Sequence, residues 1–305
     1  MGHVFPGATA PFGMVQLSPQ TNFELMYDKD GSYNPETYEY CAGYQYRDSI
    51  IIGFAHTNFS GTGHADLGDL LIMPTVGKMV LEPLKTQNGQ KGFYSTFSHE
   101  KEKASPGYYQ VELDSYGIKA ELTASERVGF HQYTFPASND AHIILDMVYN
   151  VYHHDNKNVW TFIRIENDSL VTGYRQTKGW ARTKKVFFAM KFSKPFKSYG
   201  HKKYNNETYD GFYKRFDQSK NFPEIAGKDI RAYFNFDTKD GEKNVAIMMT
   251  LTAPGCGMGP VIADEVERKV GAINNVQSVK VELVSEPQWN QAMMSEAAQL
   301  ELGMF

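Results

Sequence analysis

An all-β fold, a large antiparallel sandwich of two sheets, is what this sequence predicts, on three observations. Short apolar or alternating runs recur with turn residues between them along the first 250 residues, the rhythm of a sandwich or barrel. Helical periodicity is nearly absent before residue 260. Aromatics form 14% of the chain, with 19 Tyr and 20 Phe against three Trp, a composition that suits pleated, half-buried surfaces. The 305 residues are enough to bury a substantial core, and two packed layers hold a chain of this length in one domain.

The expected strands follow in order. Gly13–Leu17, Ile50–Phe54 and Leu70–Met73 are short apolar runs bounded by turn signals. Tyr108–Leu113 and Ile118–Thr123 form a hairpin turning around Ser115 to Gly117. Gly129–Phe135 alternates, as a half-buried strand does. His142–Met147, Thr161–Ile165, Leu170–Arg175, Val186–Phe192, Arg231–Phe236 and Val245–Leu251 complete the set. The mildly basic, Tyr-rich stretch from Lys197 to Lys214 has the composition of an exposed insertion between strands. Beyond these the pattern changes. Pro260 to Val270 reads as a helix with Pro in its first turn, Val279–Val284 as one more strand, and Glu286 to Leu300 as a second helix. Trp289, Met293, Ala297 and Leu300 make an apolar stripe along that last helix. The organisation expected is a sandwich over residues 1–255 and a short helical C-terminal segment over 256–305.

Charge and cysteine usage narrow the function. A formal charge of −4 offers no electrostatic footprint for nucleic acid. No apolar run reaches the ~20 residues needed to cross a bilayer, so no membrane partner is expected. The opening Met1-Gly-His-Val-Phe-Pro6 has neither a basic nor an apolar leader, and no signal peptide is expected. The two cysteines, Cys41 and Cys256, match no metal spacing and are expected as buried free thiols, with a disulfide as the alternative.

The segment after Ile50–Phe54 carries the most chemistry. His56, Thr57, Asn58, Ser60, Thr62, His64, Asp66 and Asp69 are interleaved with Gly61, Gly63 and Gly68. A strand that delivers such groups to a Gly-rich loop can hold a polar, uncharged ligand such as a sugar. A polar loop satisfying its own backbone is the competing reading, and both stay open on the residues alone. Asp66 and Asp69 fall short of the six to eight oxygens that calcium takes. His153-His-Asp155 points to alternate faces of an extended chain and is expected as solvated loop. Phe59-Ser-Gly-Thr-Gly63 is neither a nucleophile elbow nor a phosphate loop. Arg175 and Trp180, in a Gly-bounded loop, suit a pocket wall, although such a Trp is more often core. Phe5-Pro-Gly-Ala-Thr-Ala-Pro-Phe-Gly-Met14 is expected as a rigid irregular turn.

Several long blocks, in order, resemble one family. Gly2-His-Val-Phe-Pro-Gly-Ala-Thr-Ala-Pro-Phe-Gly-Met-Val-Gln-Leu-Ser-Pro19 is similar to the opening of the α-mannosidases of glycoside hydrolase family 92. Gly43-Tyr-Gln-Tyr46, Ile52-Gly-Phe-Ala-His-Thr-Asn-Phe-Ser-Gly-Thr-Gly63 and Asp66 to Thr75 resemble its next blocks. Ala104 to Val111, Ala120 to Pro136 and Gly173-Tyr-Arg to Gly179-Trp180 follow in the same order, so the likeness covers roughly residues 2 to 250. The resemblance implies a galactose-mutarotase-like supersandwich, the N-terminal part of a calcium-dependent, inverting exo-α-mannosidase acting on mannose-containing glycans. Such enzymes place the general acid, the general base and the calcium ligands in an (α/α)-barrel domain, which this chain is expected to stop short of. No catalytic or metal-ligating residue, and no bound cofactor, is therefore expected here. By the same resemblance the full-length bacterial protein is expected to be periplasmic or secreted. N-terminal loops line the sugar pocket, and the residues expected to face it are Phe5, Tyr40, Cys41, Gly43, Tyr44, His56, Thr57, Asn58, Ser60, Gly61, His64, Asp66 and Trp180. Two departures stand out: the segment before the first Gly-His block is missing, and Pro254-Gly-Cys-Gly-Met-Gly-Pro260 is unlike the family's linker. A stand-alone carbohydrate-binding module and a non-catalytic scaffold or oligomerisation domain are the alternatives.

Overall fold

The computed structural model describes residues 3–21, 30, 32–61, 66–84, 91–151, 157–204 and 223–249. Eighteen strands run through them in chain order. They are β1 (Ala8–Thr9), β2 (Gln16–Gln20), β3 (Ile50–Ile51), β4 (Gly53–Ala55), β5 (Leu71–Val76), β6 (Ser95–Thr96), β7 (Lys103–Ser105), β8 (Tyr108–Leu113) and β9 (Ile118–Ala124). There follow β10 (Val128–Phe135), β11 (Ser138–Asp146), β12 (Asn158–Asn167), β13 (Leu170–Thr177), β14 (Lys184–Phe192), β15 (Ser198–Lys203), β16 (Glu224–Gly227), β17 (Ile230–Thr238) and β18 (Glu242–Met249). Seven form one sheet in the order β1-β2-β4-β5-β11-β17-β15. Nine form the other, β16-β12-β13-β14-β18-β10-β9-β8-β7, and β3 with β6 makes a small ribbon. The antiparallel two-sheet sandwich predicted from the sequence is what the chain adopts.

The core lies between the two sheets. Leu17, Phe54, Ile72, Ile144 and Phe234 of the seven-stranded sheet belong to one buried cluster with Tyr109, Leu122, Tyr133 and Met190 of the nine-stranded sheet. β8 and β9 show why the sequence folds this way. Their burial alternates strictly, so the apolar half of each strand points inward. The turn between them places Gly117 at φ +62°, a conformation glycine takes without strain.

The structure differs from expectation in three places. The strand expected at Gly13–Leu17 lies later, as β2, because Gly13 closes a turn onto the Ala10 carbonyl and pairing begins at Gln16, with the short β1 before it. The run Ile50–Phe54 is divided between β3 and β4, which join different sheets. Gly53 marks the division: a Cβ there would meet the Ile72 carbonyl oxygen at 2.8 Å. Residues 198–203 form an edge strand on β17 instead of an insertion, because Tyr199 packs onto the core and Gly200 admits the Tyr233 ring. The helices, the strand and Cys256 expected after residue 249 lie outside the described residues. No helix among the described residues is long and apolar enough to cross a membrane.

One residue sits badly in this core. Asn244 on β18 stands directly opposite Tyr133 and therefore faces inward, 6% exposed. Neither its amide nitrogen nor its amide oxygen finds a hydrogen-bond partner among the described residues. The crevice it lines with Tyr133, Phe192 and Phe236 has no room for a water molecule. An unmade bond of this kind costs about 1–3 kcal/mol. Asn244→Leu, nearly isosteric, is expected to raise the urea midpoint of unfolding by an amount equivalent to about 1 kcal/mol or more.

Candidate functional site

The loops at one end of the sandwich are held by buried charge. Asp69, 1% exposed, follows the Gly-rich segment and faces two cations. Lys184 Nζ lies 2.8 Å from its Oδ2, and Arg175 Nη1 lies 3.3 Å from its Oδ1. The Thr57 hydroxyl also donates to Asp69 Oδ2, at 2.8 Å. Burial alone would raise the Asp69 pKa, but Lys184 and Arg175 outweigh it and hold the carboxyl well below the ordinary carboxylate range. Arg175 is itself fully buried, and its Nε and Nη2 donate to Asn158 Oδ1 at 2.8 and 2.6 Å. Asp66 is paired with Lys157 at 2.5 Å and lies 3.6 Å from Lys184. Burial pushes its pKa up, Lys184 and Lys157 pull it down, and the cations prevail.

This charge cluster fixes two loops against each other. Asp66 Oδ2 accepts the backbone N–H of Trp180 at 2.9 Å, and Oδ1 accepts that of Leu67 at 2.7 Å. Gly179 allows the approach, since a Cβ there would collide with the Asp66 carboxylate. The chain between is contorted: Leu67 (φ +73°), Gly68 (φ +81°) and Leu70 (φ +58°) all adopt the left-handed region. For leucine that conformation costs energy and persists only where surroundings enforce it.

The predicted residues separate into two groups. His56, Thr57, Asn58 and Asp66 are buried and engaged with the protein's own groups. Asn58 Nδ2 donates to the Gln16 carbonyl at 2.8 Å, and its Oδ1 accepts from Gln20 Nε2 at 2.8 Å. Gly43, at φ +76°, packs against that same Gln20 amide, where no side chain fits. Tyr40, 7% exposed, donates to Asp48 at 2.9 Å, and Tyr44 donates to Glu102 at 3.0 Å. Cys41 is buried with its thiol on the Tyr38 carbonyl. Phe5 is half-buried. The second group is open to solvent: Ser60, Gly61 and Trp180, the last 71% exposed. Phe59, which the sequence reading did not select, joins them, and its ring meets Trp180 edge-on at 6.4 Å. Gly61 donates to the His3 carbonyl, and His3 packs edge-on against Tyr38, so the opening segment reaches the same rim. His64 lies outside the described residues, as do His153, His154 and Asp155.

The rim therefore offers an exposed aromatic pair, a hydroxyl and bare backbone, over a floor of satisfied polar groups. Asp66 and Asp69 do not fit a calcium ion, because their oxygens are taken by lysine, arginine, threonine and backbone donors. Nor do they suit proton donation, since both are held ionised.

Residues 1–249 match the sequence profile of the glycosyl hydrolase family 92 N-terminal domain. Among solved structures, the family GH92 α-mannosidase BT3965 from Bacteroides thetaiotaomicron, in complex with mannoimidazole, superposes with a TM-score of 0.68. It is 36% identical, over 82% of this chain and 30% of its own length. An uncharacterised secreted glycosidase of Arthroderma benhamiae is 29% identical over 140 residues, 45% of this chain and 16% of that protein. A different kinship accompanies these. An Fe–S protein maturation auxiliary factor of Porphyromonas gingivalis is 43% identical over 75 residues, 25% of this chain and 70% of that protein. Only 56 residues (305 less 249) follow the family 92 match, so the two likenesses share at least 19 (75 less 56).

The charge cluster sets an acid limit on stability. A carboxylate whose folded pKa is depressed contributes stability above its unfolded value, about 4, and loses it as pH falls below that. Asp69→Asn is expected to be destabilised at neutral pH and to lose less stability than the parent chain between about pH 4 and 2. Urea midpoints across that range measure both.

Proposed function

The chain belongs to glycoside hydrolase family 92 through residues 1–249 and to the Fe–S protein maturation auxiliary factors through a stretch of 75 residues, and from the first membership we propose that the loop rim forms one wall of an α-mannoside pocket. The observation that carries this is the exposed Phe59–Trp180 pair above the buried charge cluster. Aromatic faces of this kind suit the apolar face of a pyranose ring, while Ser60 and the backbone of Gly61 supply polar contacts. The substrates proposed are mannose-containing glycans with a terminal α-linked mannose. Inverting hydrolysis needs an acid and a base with a water between them, and Asp66 and Asp69 are both committed to cations. The catalytic pair and the calcium ligands are accordingly proposed to come from an (α/α)-barrel domain outside residues 1–249. The chain spans 30% of the length of the α-mannosidase it matches, which accords with this division of labour. Likeness to a secreted glycosidase supports a periplasmic or secreted site of action.

The second membership supports a separate reading, that the 75-residue stretch serves Fe–S protein maturation, since 70% of such a factor is present. Expression of the full chain in cells lacking their own auxiliary factor tests it. Restored activity of an Fe–S enzyme is the expected result, and unchanged activity with the chain expressed overturns it.

For the mannosidase reading, calorimetry with mannobiose is expected to show binding no tighter than millimolar, about −4 kcal/mol, as befits one wall of a pocket. Trp180→Ala should abolish that binding while leaving the urea midpoint nearly unchanged, because the ring is exposed. The unmodified chain should not release 4-nitrophenol from its α-mannoside, with or without calcium. Calcium-dependent turnover, or an unaffected Trp180→Ala, contradicts the assignment.

A further inference from the structure

Beneath the same loop, two histidines join the sheets in a chain whose proton positions the geometry determines. His56 Nδ1 lies 2.6 Å from the Leu70 carbonyl, which only accepts, so Nδ1 carries the proton. In the neutral ring Nε2 is then bare, and it lies 3.0 Å from His131 Nε2, which must donate to it. His131 Nδ1 is bare in turn and accepts the Tyr133 hydroxyl at 2.8 Å. The hydrogen bonds therefore run one way, from Tyr133 through His131 and His56 to Leu70. His56 directly follows β4 of the seven-stranded sheet, where the chain enters the loop, and His131 lies in the middle of β10 on the nine-stranded sheet. Gly129 makes the approach possible, since a Cβ there would stand 3.1 Å from the His56 ring.

We propose that this histidine pair is an acid-released latch, closed while both rings are neutral, that fastens the Gly-rich loop to the opposite sheet. A proton added at His56 Nε2 sets two N–H groups face to face and breaks the link. A proton added at His131 Nδ1 creates a buried imidazolium and forces the Tyr133 hydroxyl to reverse. Among the described residues no carboxylate compensates either charge. Of the titratable groups on the surrounding elements, Tyr109 of β8 is bonded to Glu102, Tyr133 of β10 is in the chain itself, and Asp69 beyond the loop is spent on Arg175 and Lys184. β2, β9 and β18 present Leu17, Leu122 and Ala246. Among the described residues, His56 is the titratable group that acts on His131 beside burial itself.

Release falls to the His56 side, because its neighbours Phe59 to Gly61 are already exposed. Burial holds His56 at about 4, against the pull of the Leu70 carbonyl, and holds His131 well below the ordinary value. With folded values below the unfolded one near 6.5, the fastening is complete above about pH 6.5 and is lost as pH falls toward 4. The latch rests on hydrogen-bond geometry; only its use, exposing or withdrawing the sugar wall, rests on the mannosidase reading.

Nitrogen-15 NMR of the ring nitrogens in the full chain at pH 7.5 tests the closed state without any variant. The expected result is opposite tautomers, Nδ1–H for His56 and Nε2–H for His131. Amide hydrogen exchange, corrected for intrinsic rates, tests the release. The amides of Asn58, Gly61 and Gly68, which donate to Gln16, His3 and Thr57, should lose at least tenfold in protection between pH 7 and 4.5. The β9–β10 ladder amides should hold theirs. Identical tautomers, or loop and ladder losing protection together, overturn the proposal. Neither outcome depends on whether the rim binds sugar.

Discussion

The ion pair between Asp69 and Arg175 is the contact on which the loop end of the molecule depends. Both groups are out of reach of water, and a buried charge without its partner is expensive enough to dictate local structure. Asp69 draws Lys184 and Thr57 to itself, Arg175 draws Asn158, and Asp66 collects Lys157 and the amide of Trp180. Left-handed leucines on either side of Gly68 are the visible strain of gathering these groups. What reaches solvent, the Phe59–Trp180 edge, is set by bonds made one layer below it.

Where the apolar pattern alone decided the outcome, the sequence was readable. The β8–β9 hairpin could be read to its turn because alternation and a glycine agreed, and the sandwich followed from many such runs. Gly53 was harder: a single residue sends Ile50–Ile51 and Gly53–Ala55 to different sheets, and only the closeness of Ile72 shows why. The loop was recognised as important from its composition, but its residues could not be sorted. Whether His56 and Asn58 faced outward or inward turned on Gln16, Gln20, Leu70 and His131, partners that no local spacing reveals. Arg175 and Trp180 were noticed together, yet tertiary contact sent one to full burial and the other to the surface. Phe59 passed unnoticed because an isolated phenylalanine beside a strand reads as core.

Membership in two families gives β18 a particular interest. The family 92 match ends at residue 249, the last residue of that strand, and the auxiliary-factor likeness must reach into the same match by at least 19 residues. β18 pairs well by backbone with β10 and β14, since ladder bonds are indifferent to side chains. Its Asn244 is nevertheless a poor inward residue for this core. A strand can satisfy a sheet in every main-chain bond and still carry a side chain at odds with it.

The contacts that complete the rim are long in sequence. Tyr149 reaches Gln20 across 129 residues, Trp180 reaches Asp66 across 114, and Arg175 reaches Asp69 across 106. During synthesis the Gly-rich loop therefore leaves the ribosome long before the cations that neutralise its aspartates. Its aspartates stay hydrated until Arg175 and Lys184 have emerged, so the rim cannot be completed before then. A nascent chain stalled before residue 175 would expose it to proteases with its hairpins already formed.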